Sequence, residues 1–329
     1  MTDAAPRIAV PPVDPRALAG LDSAARVMDM GGETMGTYWR VRLAAPSGCD
    51  SAALRGAIQA RLDTIVSEMS HWQPDSLLSG FNCAPAGSWT PLPPDFATVV
   101  EAGLALAERT QGAFDPAAGR LTDLYGLGPN SAVAPPDTAA LATALGVSGW
   151  ARLIYDAPAR RLRQPGGLWL DLSGIAKGYA VDCVADLLVA QGLRHALVEI
   201  GGECVGRGMR PDGDPWWVEL ETPPGVGNLP PLRIALHQCA VATSGNYVRG
   251  DHTLDPRTGV PVRNGIVSAS VLHATAMQAD AWATALTVLG PEAGARAAER
   301  EGLAARFIIG RDGDAMEWLS PALMRMMED

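Results

Sequence analysis

Lysine is almost missing from this sequence. Of 26 basic residues, Lys177 is the only lysine and the other 25 are arginine. Arginine covers most surface duties of lysine, but it does not replace a compact ammonium on a flexible stem at a tight site. The place of that lysine is therefore informative. Cysteine is also scarce. Cys49, Cys83, Cys183, Cys204 and Cys239 are odd in number, widely spaced and without a Cys-x-x-Cys pair. That argues against a disulfide framework or a zinc site and for small buried thiols in a reducing compartment. No run of about 18 apolar residues occurs, so no transmembrane segment is expected. The first residues lack a basic start, an apolar stretch and a lipid-attachment cysteine, so the sequence as written reads as cytoplasmic. A basic excess is lacking too. The 36 acidic residues give a net charge of −10, a poor match to a nucleic-acid partner.

What is there is a globular composition. The 329 residues are 47 % hydrophobic and 19 % charged, enough apolar material to offset chain entropy. Residues 1–30 read as an extended Ala/Pro-rich tail, and residues 31–329 as the folded domain. Apolar residues Leu54, Ile58, Leu62, Ile65, Val66 and Met69 make a helical stripe over 51–69. Further helices are expected over about 95–110 with Asp95 as cap, 137–145 with Asp137 as cap, 175–191 stopped by Gly192, and 276–289 ended by Gly290-Pro291. Strands are expected at 34–43, 152–155, 168–172, 196–200, 216–220, 232–236 and 267–273, with a last hairpin from 305–309 and 315–318. Residues 73–86 read as a loop. Helices and strands mix without a regular βαβ alternation, so the fold class is α+β.

Five segments look too particular for packing alone. Asp171-Leu-Ser-Gly-Ile-Ala-Lys177-Gly178 joins a strand to a helix start, where amide groups and a positive side chain suit an anion such as phosphate; it holds the lone lysine. It is not a Walker A loop, since the glycine spacing and the Lys-Ser/Thr ending are missing. Asp280 and Thr284 share a helix face and supply hard oxygens of the kind Mg²⁺ prefers. His252 precedes a tight turn at Asp255-Pro256-Arg-Thr-Gly259 and can accept a proton; His71, His195, His237 and His273 have no comparable setting. Gly112-Ala-Phe114-Asp115 places an exposed aromatic beside a carboxylate, a pair able to face a ring and its polar edge. Thr243-Ser-Gly-Asn-Tyr247 reads as a tight backbone passage. Each segment also has a turn-only explanation.

Together they resemble the ApbE family of flavin:protein FMN transferases. The carrying residues run in order: Met35-Gly-Thr37; Met69-Ser70-x-Trp72 with Asp75-Ser76 and Phe81-Asn82; Gly112-Ala-Phe-Asp115; Asp171 to Tyr179; Gly201-Gly-Glu203; Thr243 to Tyr247; His252 to Gly259; and Ala279-Asp-x-x-Ala-Thr284. The resemblance spans about residues 31 to 310. It implies an ApbE-like (T-fold-like) arrangement of mixed sheets and packed helices, one catalytic unit of two intertwined subdomains.

It also implies a reaction: Mg²⁺-dependent transfer of FMN from FAD, the substrate, to a Ser or Thr hydroxyl of an acceptor protein, by a phosphoester bond and with release of AMP. Carried over residue by residue, Met35, Trp72, Ala113, Phe114, Asp115, Asp171, Lys177 and Leu254 match positions that contact FAD. Asp280, Thr284 and the backbone carbonyl of Gly174 match the metal ligands. His252 matches the general base. Glu203 stands where many relatives have Asp or Asn and is left out of the metal set. Many relatives are exported, so a periplasmic home is the family's alternative location. Two other functions stay open at this point, an FAD pyrophosphatase that uses water as acceptor and a non-enzymatic FAD-binding protein.

Overall fold

The computed structural model describes residues 6–130, 135–226, 229–246, 250, 252–310 and 315–327. The chain divides into two compact units, each assembled from separate stretches. The first comprises Met1–Leu62, Lys177–Val248 and Asn264–Asp329; the second comprises Asp63–Ala176 and Arg249–Arg263. The architecture is α+β, as the patterning requires.

The first unit is built on an eight-stranded antiparallel sheet. Its order is Met316–Leu319, Ala304–Ile309, Ile266–His273, Gln238–Gly245, Glu203–Arg207, Ala196–Ile200, Thr37–Ala45 and Arg26–Thr34. Successive residues of a strand point to opposite faces, and residues paired across strands share a face. Val241, Leu272 and Ala304 join Trp216, Leu232 and Ile234 in one core cluster, formed with a three-stranded sheet of Arg7–Ala9, Leu232–Leu236 and Trp216–Leu220. Phe307, of opposite parity to Ala304, lies against Gly294 of the Ala276–Arg300 helix. The sheet is thus covered on both faces.

The Ala276–Arg300 helix is two helices in line. Gly290 leaves helical geometry with φ 81° and ψ 178°, and Pro291 starts the second rod. The freed carbonyls of Thr287 and Val288 accept from the Asn264 side-chain amide at 2.9 and 3.3 Å. The expected stop at Gly290-Pro291 is therefore a real break, with a second helix beyond it. The 51–69 helix and the strands at 196–200, 216–220 and 232–236 fall where the sequence places them.

Other expectations need correction. The expected tail joins the fold where it is described, from residue 6 on. Arg7–Ala9 pairs parallel with Leu232–Ile234, and Ala9 is fully buried. Arg7 donates to Glu317 at 2.7 Å, and Pro11 O is within 3.1 Å of His237 Nε2. The boundary at 31 falls inside the Arg26–Thr34 strand. The strand expected at 34–43 is found at Thr37–Ala45, and its first residues belong to a hairpin turn at Met35-Gly36, where φ is 50° and 70°. Two positive φ values are what a two-residue turn of the twisted-hairpin type needs.

The second unit holds a three-stranded sheet of Trp89–Pro91, Arg161–Arg163 and Ile154–Asp156, with helices Leu77–Cys83, Pro94–Arg109, Gly119–Leu124 and Thr138–Val147. Asp137 caps its helix through Ala140 N at 2.7 Å, as expected. Asp95 does not cap; Pro93 holds that position and Asp95 sits in the first turn. The 73–86 loop contains a helix, capped by Ser76 on Ser79 N and anchored by buried Leu78 and Phe81. Residues 168–172 form no strand. Asn82 holds the backbone there: its amide donates to Leu170 O at 3.1 Å and its carbonyl oxygen accepts from Leu170 N at 2.7 Å. Asp171 N donates to Pro116 O at 2.9 Å. Among the described residues no helix is long and apolar enough to cross a membrane.

Candidate active site

In the first unit the lone lysine sits in the opening turn of the Ala176–Ala190 helix. Its ammonium pairs with Glu203, the first residue of the strand that follows the Gly201-Gly202 turn. Those glycines have φ of 59° and 106°, and a Cβ at Gly201 would lie 2.9 Å from the Thr37 methyl. Glu203 is 3 % exposed, and its Oε2 has no hydrogen-bond partner. Asp280 is 5 % exposed and accepts from Gly178 N–H at 3.0 Å.

Two buried carboxylates thus share one ammonium. Burial pushes Glu203 up to about 7; the neighbouring Asp280 charge adds to the rise and Lys177 opposes it. Burial likewise raises Asp280, against the pull of Lys177 and the Gly178 amide. Removing water penalises the charged form, and one cation cannot offset two anions. Thr284 lies one turn on from Asp280 and is half-buried. Met35 occupies the left-handed region at φ 50°, uncommon for a side chain of its kind and worth attention at a site.

The second unit holds the other predicted residues. Asp171 faces His71, a histidine with no distinctive setting in the sequence. His71 Nδ1 lies 3.4 Å from Asp171 Oδ1, and Ser173 N–H donates to the same oxygen at 2.9 Å. Burial opposes charge on both groups, yet the contact wins: Asp171 is held well below the usual carboxylate range and His71 is raised. His71 Nε2 is buried without a partner. Trp72 beside it is 59 % exposed, its ring centroid 5.1 Å from the imidazole, so its indole is free to stack on a planar group. The Ser70-His71-Trp72 triplet was the available signal for His71, but its carboxylate partner is a hundred residues away.

Asp115 accepts from Ala117 N at 2.7 Å and Trp150 N at 3.0 Å. Burial still pushes it up to about 6. Phe114 is not exposed as expected. It is 4 % exposed and packs near Gly103, while Ala113 is 1 % exposed. The loop turns its apolar residues inward and leaves the carboxylate held by two amides. Leu254 is 6 % exposed, in a cluster with Ala118, Leu121 and Ala144.

His252 Nδ1 lies 2.9 Å from Gly250 O. A carbonyl only accepts, so Nδ1 carries the proton in the neutral ring and Nε2 keeps its lone pair. The turn after it forms as expected: Gly259 N donates to Asp255 O at 2.7 Å, and Gly259 has φ 72°. Gly174 lies in the turn ahead of the lysine helix. Thr243 lies on a regular strand, its hydroxyl 2.7 Å from that of Ser270, so the expected tight passage is a ladder; Tyr247 lies outside the described residues.

Among the described residues no group of three or more His, Cys, Asp or Glu is placed to hold a metal ion. The set implied by the family resemblance is of another kind, one carboxylate, one hydroxyl and one main-chain oxygen. The chemistry of the first unit fits a divalent cation. Asp280 and Thr284 offer hard oxygens on one helix face, and the buried Glu203 Oε2 beside them in charge is unsatisfied.

Comparison with known proteins places this geometry. Residues 35–307 match the profile described as the ApbE family. The chain is similar to an FAD:protein FMN transferase of Klebsiella pneumoniae, 35 % identical over 326 residues and 92 % of either chain. Among solved structures it is similar to the flavin transferase ApbE from Vibrio cholerae, with TM-score 0.86 and 34 % identity over 92 % of this chain and 99 % of that one. It is also similar to the apo form of Pseudomonas stutzeri flavinyl transferase ApbE, with TM-score 0.85 and 34 % identity over 92 % and 97 %. With a match over most of its length, the motifs in order and the same fold, the chain belongs to the ApbE family.

Proposed function

We propose that this chain transfers the FMN half of FAD to a Ser or Thr hydroxyl of an acceptor protein, with Mg²⁺ as the required cation. The coarser statement follows from its family: it is an enzyme, a flavin transferase that moves FMN from FAD to a protein. A non-enzymatic flavin binder is thereby set aside. The observation that carries the finer reading is Asp280, a buried carboxylate fixed by Gly178 N–H and sharing the chain's only lysine with Glu203.

The acceptor oxygen attacks the FMN phosphorus, forming the new O–P bond. The bond to the AMP oxygen breaks, and AMP leaves with the electron pair. The hydroxyl proton goes to His252 Nε2, whose lone pair the Gly250 contact leaves available. Such general-base help is worth about 10²–10⁴-fold. Bound Mg²⁺ supplies neutralisation of charge on phosphoryl oxygens. Asp280 and Thr284 would hold it, and the main-chain oxygen of Gly174 is added by family resemblance alone. Lys177 acts as a point charge toward the anionic diphosphate. Trp72 offers an exposed indole face to the flavin ring, and Asp171, kept anionic by His71, a fixed acceptor. Met35, Ala113, Phe114, Asp115 and Leu254 complete the FAD contacts carried from the family. Phe114, Ala113 and Leu254 serve from buried positions, through backbone and packing.

The test is mass spectrometry of an acceptor peptide bearing the family's Ser/Thr motif, after incubation with FAD and Mg²⁺. A gain of FMN mass with equimolar AMP is expected. Asp280→Ala removes both below detection while the protein stays folded. AMP release without a modified peptide identifies a pyrophosphatase instead, and unchanged flavinylation by Asp280→Ala overturns the cation assignment.

A further inference from the structure

Asp182, on the lysine-bearing helix, is buried and belongs to none of the site residues above. Both its oxygens are used across to another helix. Oδ1 accepts from Ala276 N and Oδ2 from Met277 N, each at 2.9 Å. These are the first two amides of the Ala276–Arg300 helix, which have no partner within that helix. Thr275 takes the next, its hydroxyl accepting from Gln278 N at 3.3 Å.

The division of labour is uneven. Thr275 caps the helix from its own chain neighbourhood, so it stabilises the first turn wherever that turn lies. Asp182 fixes the turn to the lysine helix. One turn back on that helix, Gly178 allows contact: a Cβ there would lie 2.2 Å from Ala276 O and 2.8 Å from Asp280 Cβ. Gly178 N–H then holds Asp280 Oδ2. Three features therefore act on one helical turn: a missing side chain sets the approach, one amide orients Asp280, and one carboxylate locks the helix start.

We infer that Asp182 is a positioning residue for Asp280, setting the depth and rotation of the helix that presents Asp280 and Thr284 to a divalent cation. The role rests on the cation assignment made above. Asp182 faces Arg207 at 4.0 Å and also feels the charge of Asp186. Burial raises it, while the two amides and Arg207 oppose the rise; both oxygens accept N–H bonds, the pattern of an anion at a helix N-terminus. Groups that orient a metal ligand from behind typically govern affinity as well as activity.

The test compares wild type, Asp182→Ala, Asp182→Asn and Thr275→Ala in the full chain. Mn²⁺ binding is followed by loss of the free-ion EPR signal, and each protein is melted. Asp182→Ala is expected to weaken Mn²⁺ binding by about 10–100-fold. Asp182→Asn keeps one acceptor and falls between it and wild type. Thr275→Ala lowers the melting temperature and leaves Mn²⁺ affinity unchanged. If the Asp182 variants melt early but bind Mn²⁺ as wild type does, Asp182 is a capping group only and the inference fails. If Asp182→Ala does not fold, the asparagine variant decides in the same way. Wild type that binds no Mn²⁺ overturns the cation assignment itself, an outcome visible before any variant is made.

Discussion

Asp171 in the second unit and Glu203 in the first are acids largely shielded from water, each beside a basic side chain, yet they behave oppositely. Asp171 is held below the usual carboxylate range, while Glu203 is pushed up to about 7. The difference is in the count of partners. Asp171 has His71 in contact, with Asp123 only a lesser charge on that ring, and both the N–H and the side chain of Ser173 as donors. Glu203 shares Lys177 with the charge of Asp280 and leaves Oε2 unsatisfied. Burial alone does not decide whether an acid stays ionised; the local balance of charge and donors does. In the second unit the carboxylate has a basic partner and donors, while His71 Nε2 stays without a partner. The first unit's cluster has a surplus of negative charge that suits an arriving cation.

The largest change is expected from making Asp171 resemble Glu203. His71→Ala strips its main partner and leaves a largely shielded carboxylate with only the donors of Ser173. A loss of about 3–5 kcal/mol in unfolding free energy is expected, read by denaturant titration. The pH profile sharpens the point. Asp171, lowered on folding, contributes stability that is present above the unfolded value near 3.8 and lost as pH falls through its native value. His71, raised on folding, contributes stability that is present below 6.5 and lost as pH rises through its native value. His71→Ala should erase both limbs; a variant that keeps them would break the comparison.

Glu203→Gln tests the other side, with a smaller effect. An acid raised on folding binds its proton more tightly in the native state, so stability falls as pH rises from 4.5 to about 7. The variant should lose that decline, and Asp280, left alone with Lys177, should shift down. Melting temperature across that window, beside wild type, reads the first part. The smallest effect belongs to Asp115→Asn. Asp115 has two amide donors and no cation, and sits at about 6. Asparagine keeps one acceptor and removes the charge, so stability at neutral pH should change by no more than about 1 kcal/mol. A loss as large as that of His71→Ala would mean that a cation is not what separates the two regions.

Local patterning made part of this legible. The stripe Leu54, Ile58, Leu62, Ile65, Met69 marks its helix, and Asp137 marks a cap, because neighbours in sequence carry those signals. The Met35-Gly36 turn was hidden because methionine seldom takes positive φ, and the alternation over 34–43 reads as one strand. Asn82 serving as the partner of residue 170 leaves no pattern in the 168–172 segment. At the site, the rarity of lysine singled out Lys177, and helical spacing paired Asp280 with Thr284. Glu203, His71 and Asp182 stayed invisible in role, since each acts through a partner distant in sequence.

The interruption at Gly290 has a bearing on how the sequence can drift. An insertion in a continuous helix rotates everything beyond it by about 100° per added residue. Here the rod bearing Asp280 and Thr284 closes off before Pro291, its end sealed by Asn264. Additions to the trailing rod can thus change its phase while the acid and the hydroxyl keep theirs.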